Sequence, residues 1–314
     1  MKESVYTLPE EFLRRIKIIY PAHFNRICET FLNKRKQTFR INYLKTDLNS
    51  LRNFLRKEGI KYKELSWPKG AFILNSDIRH FQRSFIYRDG LVYLQNVSSM
   101  IVPFVLGAKA GDRILDLCAA PGAKTTEIAS LAGRDTEIVA VEKIRTRYYK
   151  LLANLKIQGA DFVKTIIMDG IFVRKKFPEY FDKVLLDAPC SSEGRFYTRN
   201  PRSFRYWKYR KVKEMAHKQK RLISSAYYAL KPGGKLLYST CTFSPEENEE
   251  VVDWALNKFK DKIELLPINI PIKNARNGLI KWRKKTFLKS LSYAIRVIPN
   301  DYMEGFFIAL FNKL

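Results

Sequence analysis

Arg113-Ile114-Leu115-Asp116-Leu117-Cys118 runs straight into Ala119-Ala120-Pro121-Gly122-Ala123-Lys124. The first half is a short apolar run of buried-strand type, and the second is a tight turn of small residues that opens a helix over Thr125 to Leu131. Working outward, the same alternation repeats. Strands are predicted at Ile138 to Val141, Thr165 to Met168, Val184 to Leu186 and Lys235 to Tyr238, with helices at Arg145 to Ile157 and Lys211 to Leu230. Strands alternating with helices predict an α/β fold with a parallel, doubly wound sheet. Two further strands, Ile263 to Leu266 and Phe306 to Phe311, close the chain as a late hairpin around a basic excursion, Lys281-Trp282-Arg283-Lys284-Lys285.

In such sheets the ligand crevice lies beyond the carboxyl ends of the strands. Two cysteines are predicted there, Cys190 in Asp187-Ala188-Pro189-Cys190 and Cys241 in Ser239-Thr240-Cys241. Each follows an apolar run, so both thiols face one crevice, placed for covalent chemistry more than for packing. The Ala119 to Ala123 turn cannot hold a ligand away from the backbone, and its helix start suits a carboxylate or phosphate. No Gly-x-Gly-x-x-Gly occurs, which disfavours a dinucleotide. Glu142, ending the second strand, is placed for the two hydroxyls of a ribose, and Asp169, ending the third, for an adenine amino group. Arg147 lies on the same side. Plainer readings stand beside these: a turn cap for Asp116, a pair with Arg145 for Glu142, a simple Asp-Gly turn for Asp169, a solvated first-turn lysine for Lys124, and core packing for Cys118.

Residues 1–92 differ in character. A helix from Pro9 to Tyr20, a second through Phe24, Ile27 and Phe31, a strand at Thr38 to Asn42, a helix from Asp47 to Glu58 and strands at Lys61 to Leu65 and Ala71 to Leu74 give a small α+β domain. Its βαββ order is compatible with a ferredoxin-like RNA-binding shape that would guide RNA, without that module's aromatic stacking motif. The catalytic domain is then 93–314. The chain has 58 Lys and Arg against 31 Asp and Glu, a formal net charge of +27. Ion-pair networks need both signs, so the excess predicts a polyanionic partner, RNA. The basic stretch Arg195 to Arg221, interleaved with aromatics, is predicted to border the crevice, with Arg199 and Arg202 as RNA contacts and the rings beyond Phe204 either stacking or turned into the core. Four cysteines without a secretory or membrane-spanning run predict a cytoplasmic chain. Metal is not expected, since no Cys-x-x-Cys occurs and His23, His80 and His217 are isolated.

The blocks Asp116 to Thr126, Asp187-Ala188-Pro189-Cys190-Ser191 and Ser239-Thr240-Cys241-Thr242, together with Gln95 to Ser99, Arg199-Asn200-Pro201, Pro245 to Glu249 and Arg296-Val297-Ile298-Pro299 before Glu304-Gly305-Phe306-Phe307, resemble the signatures of the Nop/Sun RNA cytosine-5 methyltransferases. The resemblance spans roughly residues 38–312. It implies a Rossmann-like sheet with a late antiparallel strand and S-adenosylmethionine as cofactor, held by Cys118, Ala119, Ala120, Pro121, Gly122, Lys124, Glu142, Arg147, Asp169 and Asp187. It also implies Cys241 as nucleophile, Cys190 as the group aiding release, and Asp187 and Lys124 as their catalytic partners. The residues alone do not rank the two thiols. Ala123, Glu142, Asn300 and the loop Ser192-Glu193-Gly194 depart mildly from the family pattern. tRNA is the predicted substrate, as in the archaeal-type members, with ribosomal RNA second and a non-catalytic RNA-binding role third; a monomer is compatible.

Overall fold

The computed structural model describes residues 7–314. Strands are numbered in chain order. β1 (Thr38–Ile41), β2 (Tyr62–Glu64), β3 (Ala71–Leu74) and β4 (Val92–Leu94) form an antiparallel sheet in the order β2-β3-β1-β4. β5 (Arg113–Asp116), β6 (Glu137–Glu142), β7 (Lys164–Ile167), β8 (Phe181–Asp187) and β9 (Leu230–Thr240) are parallel, in the order β9-β8-β5-β6-β7. The chain builds outward from β5 to β7, then returns to lay β8 on the other side of β5. That reversal is the switch point where a crevice opens. β10 (Ile263–Leu266), β11 (Ala275–Asn277), β14 (Ile295–Val297) and β15 (Phe306–Lys313) extend the sheet antiparallel to nine strands, with β15 against β9. β12 (Lys281–Trp282) and β13 (Lys285–Thr286) form a separate hairpin.

β5, β6 and β8 are buried on both faces, which is why they read as continuous apolar runs instead of alternating ones. The late part of the chain is richer than its sequence suggests. β11 and β14 are three residues each, too short for periodicity to mark. The basic excursion is a turn anchored by Trp282, which is buried and donates its indole N–H to Glu246 at 3.2 Å. The small domain likewise gains β4, which the sequence left unread and which crosses the 92/93 boundary drawn there.

The first two helices do not pack on the small sheet. Phe12 and Ile16 of Glu10–Ile19, and Ile27 and Phe31 of Phe24–Leu32, join the core of the large sheet. The Phe12 ring packs tilted against Phe196 and edge-on against Trp207, with centroids 4.8 Å and 5.7 Å away, and Arg15 pairs with Glu246 at 2.5 Å. The small domain keeps its own core around Phe39, Phe72 and Phe81. The two cores are separate, and residues from the first ninety contribute to both.

Candidate active site

The cleft at the carboxyl ends of β5, β6, β8 and β9 has a volume of about 620 Å³. Cys118, Ala119, Ala120, Pro121, Lys124, Glu142, Arg147, Asp169, Asp187, Cys190 and Cys241 all line it. Gly122 stands behind this wall. Its φ of +104° suits glycine, and a Cβ there would meet Leu151 at 3.0 Å. The turn is held by the Ala119 N–H on the Val141 carbonyl at 2.9 Å, and by Arg147 on the Ala120 carbonyl at 2.5 Å.

Asp116 is fully buried. One oxygen accepts from Thr125 at 2.6 Å, while the other has no hydrogen-bond partner among the described residues. Burial pushes its pKa up to about 6 against that bond. An unpartnered buried carboxylate oxygen on a cleft wall fits a cationic ligand group. Glu142 accepts from the Ile144 N–H at 2.8 Å and faces Arg147, not Arg145, at 3.4 Å. Asp169 accepts from the Ile171 N–H at 3.2 Å and from Lys143 at 2.6 Å. Cys118 is half-buried, packing on the core while presenting an edge to the cleft.

The two sulfurs lie 3.4 Å apart. Their surroundings rank them, which the sequence could not. A hydrogen bond from Cys190 and then the Arg195 cation lower the Cys241 thiol to about 7, against burial, while that bond and burial push Cys190 up. The Glu247 charge adds to the rise at Cys190. These surroundings favour ionisation at Cys241 over Cys190. The stretch beginning at Arg195 is predicted to border the crevice, but no role at the thiols is predicted for Arg195 itself. It is carried to the thiols because Gly194 lets two backbones touch: a Cβ on Gly194 would lie 2.1 Å from the Gly305 carbonyl oxygen. Its N–H donates to the Cys241 carbonyl at 2.9 Å. Arg195 is steadied by Glu304 at 3.0 Å, and the Glu304 N–H is held by Asn96 at 3.1 Å. The quoted blocks contained both Asn96 and Glu304, but nothing local tied them to the thiols.

Asp187, ending β8, accepts from Lys124 at 2.6 Å and from Ser239 at 2.8 Å. Lys124 is buried, so the solvated-lysine reading does not hold. Below the thiols, the buried Glu193 accepts from the Trp207 indole at 2.8 Å, Thr242 at 2.7 Å, the Phe243 N–H at 3.0 Å and Ser244 at 2.7 Å. It ties the Cys190 loop to the Cys241 loop. Glu247 accepts from the Ser191 N–H at 3.0 Å and from Gln219 at 2.8 Å, and burial pushes it up to about 8.

The basic stretch resolves in two directions. Phe196, Phe204 and Trp207 are buried, so these rings serve the core, whereas Tyr206 is exposed. Arg199 and Arg202 are exposed beyond the cleft, and neither lines it. Lys218, from the helix Tyr209–Ala229, does. Among the described residues no cluster of His, Cys, Asp or Glu could hold a metal, and no helix is long and apolar enough to cross a membrane.

Residues 103–312 match the family model for the 16S rRNA methyltransferase RsmB/F, and residues 8–97 match that for the N-terminal domain of 16S rRNA methyltransferase RsmF. The chain belongs to the RsmB/F (Nop/Sun) family of RNA methyltransferases. It is 39% identical to the tRNA (cytosine(49)-C(5))-methyltransferase of Pyrococcus abyssi over 88% of each chain. It is 34% identical to the ribosomal RNA small subunit methyltransferase F of Vibrio campbellii, over all of this chain and 65% of that one. A methyltransferase homolog protein from Pyrococcus horikoshii superimposes with a TM-score of 0.84 at 31% identity, covering 98% of this chain and 95% of that one. The RsmB/F chain described here is thus an RNA cytosine-5 methyltransferase by family, on a Rossmann-like sheet.

Proposed function

We propose that the chain methylates carbon 5 of cytosine in tRNA, in the cytoplasm, using S-adenosylmethionine and a covalent bond through Cys241. The observation that carries the reading is the 3.4 Å thiol pair biased towards a Cys241 thiolate, on the same wall as the Asp116 to Lys124 turn. The cleft fits the cofactor: Asp116 offers its unpartnered oxygen to the ammonium, Glu142 the ribose, Asp169 the adenine, and the small-residue turn admits the methionine part. When bound, S-adenosylmethionine supplies an electrophilic methyl group.

The chain's own residues make cytosine reactive. Carbon 5 is a poor nucleophile until a thiolate adds at carbon 6. Cys241 forms that bond, and the carbon 5–carbon 6 pair is released into the ring as nitrogen 3 takes a proton. Asp187 is the group that faces nitrogen 3 and the exocyclic amine, oriented by Lys124 and Ser239. After methylation, the carbon 5 proton passes to water, its bonding pair restores the carbon 5–carbon 6 double bond, the Cys241 sulfur leaves with the carbon–sulfur pair, and nitrogen 3 gives back the proton it took. Cys190, adjacent to that sulfur, is assigned to the release.

The match over 88% of the tRNA enzyme's length supports tRNA. Ribosomal RNA is the second reading, favoured by the 34% match over all of this chain and 65% of that enzyme and by both family models. The test is transfer of labelled methyl to unmodified tRNA and ribosomal RNA, with the nucleoside identified by mass. 5-Methylcytidine in tRNA alone is expected. Label confined to ribosomal RNA moves the substrate to the second reading, and no label despite tight RNA binding leaves an RNA-binding role.

A further inference from the structure

Residues 33–37 connect the helix Phe24–Leu32, which sits in the large core, to β1 of the small domain. The segment is pinned on both sides. The Thr198 N–H donates to the Phe31 carbonyl at 2.8 Å, and the Lys36 N–H donates to the Asp301 carbonyl at 2.8 Å. Beneath it lies a second cavity of about 290 Å³, which shares Leu94, Gln95, Asn96 and Glu304 with the wall of the thiol cleft.

Arg35 lines this cavity. Its Nε and one terminal nitrogen are buried and have no hydrogen-bond partner among the described residues. A guanidinium keeps its charge and holds its donors in a rigid fork, so buried donors without acceptors are unfavourable. The chain has the fork in place and leaves the acceptor to something else. Glu304 lines the same cavity and its charge acts on Arg35, but it makes no hydrogen bond to the guanidinium, its Oε2 being taken by Arg195 at 3.0 Å. Lys34 and Lys36 complete a positive rim, Lys36 being paired with Asp301 at 3.0 Å. A planar fork in a cationic cavity matches a tetrahedral anion with two free oxygens, a phosphate.

We propose that the Arg35 cavity is a subsite for one phosphodiester of the RNA strand flanking the target cytosine. The inference rests on the proposed function, since a base extruded into the thiol cleft leaves its neighbouring backbone at the shared wall. Arg35 is then a positioning residue, holding the strand at the seam between the two cores while Arg199 and Arg202 meet more distant phosphates.

The test uses the whole chain and needs no turnover. Binding of an unmodified tRNA transcript is followed by fluorescence anisotropy against salt, for wild type, Arg35→Gln and Arg35→Lys. One phosphate contact accounts for a salt slope of about 1. Arg35→Gln is therefore expected to lower the slope by about that amount, and Arg35→Lys to keep the slope while binding more weakly. Single methylphosphonate linkages around the target cytosine, in a short RNA strand, give a second measurement on the wild-type protein. One neutral linkage is expected to weaken binding to wild type and to be nearly silent in Arg35→Gln. If Arg35→Gln does not fold, a wild-type scan in which no neutral linkage beside the target cytosine weakens binding more than the other linkages overturns the subsite. So does an unchanged slope in Arg35→Gln. Wild type that binds no RNA overturns the proposed function itself, a different result from either of these.

Discussion

Replacing Arg195 by Gln removes the cation that biases the thiol pair while leaving both sulfurs in place. Cys241 sits at about 7 because Cys190 donates to it and Arg195 faces it, both opposing burial. At about pH 7 roughly half of the Cys241 population is thiolate in wild type; the Cys190 hydrogen bond, the larger cause, survives in the variant, so a full return to an ordinary thiol pKa of about 8.5, with about 3% thiolate, bounds what losing Arg195 can do. The expected effect is a slower alkylation of Cys241 at that pH, by at most about 15-fold, fading to less than twofold by about pH 9.5, where both forms are ionised. The sign is fixed by the chemistry: losing a cation raises a thiol pKa, so the variant gains most from added base. The assay is iodoacetamide labelling across pH without RNA, with each cysteine quantified by peptide mass. A variant profile that superimposes on wild type refutes the role of Arg195. Alkylation of Cys190 ahead of Cys241 refutes the ranking of the thiols.

Asp116→Asn is expected to weaken S-adenosylmethionine binding at neutral pH and to flatten its pH dependence. The wild-type affinity should fall as pH drops through about 6, where the carboxylate takes a proton and loses its attraction for the ammonium; calorimetric titration checks both. Neutralising Arg199 and Arg202 together should reduce the salt slope of RNA binding by about 2 with little effect on free Cys241 alkylation, and an unchanged slope clears them as contacts. Arg296→Met should cost about 3–5 kcal/mol in urea unfolding, because buried Glu249 loses its partner and the Phe243 carbonyl and Tyr20 hydroxyl lose a donor. A loss below about 1 kcal/mol would mean that Glu249 has found other partners.

The parallel sheet was legible because its strands are buried on both faces and read as apolar runs, and the crevice followed from where those runs stop. Cys190, Cys241, Asp187 and Lys124 came with it, since each sits at or just beyond a strand end. What stayed hidden depends on distant parts of the chain. Nothing around Phe12 or Arg15 says that their partners are Phe196 and Glu246. The amphipathic helix is plain, but not the surface it covers. Arg195 looked like one more basic residue in an RNA stretch until the contact of Gly194 with Gly305 brought it to the sulfurs. The rings of that stretch were ambiguous for a related reason: an aromatic that stacks on a base and one that fills a core have the same local signature.

The antiparallel strand β15 has a consequence in time. β9, which carries Cys241 at its end, pairs with β15 from Thr240 opposite Phe307 to Lys235 opposite Asn312. Until residues 306–313 emerge from the ribosome and pair, β9 is an open sheet edge, and Glu304, two residues before β15, is not yet held beside Arg195. Contacts between positions so far apart in the chain close late in folding. Before then the Gly194–Gly305 contact that carries Arg195 to the sulfurs is also missing, so the wall around Cys241 is completed only when β15 is laid down beside β9.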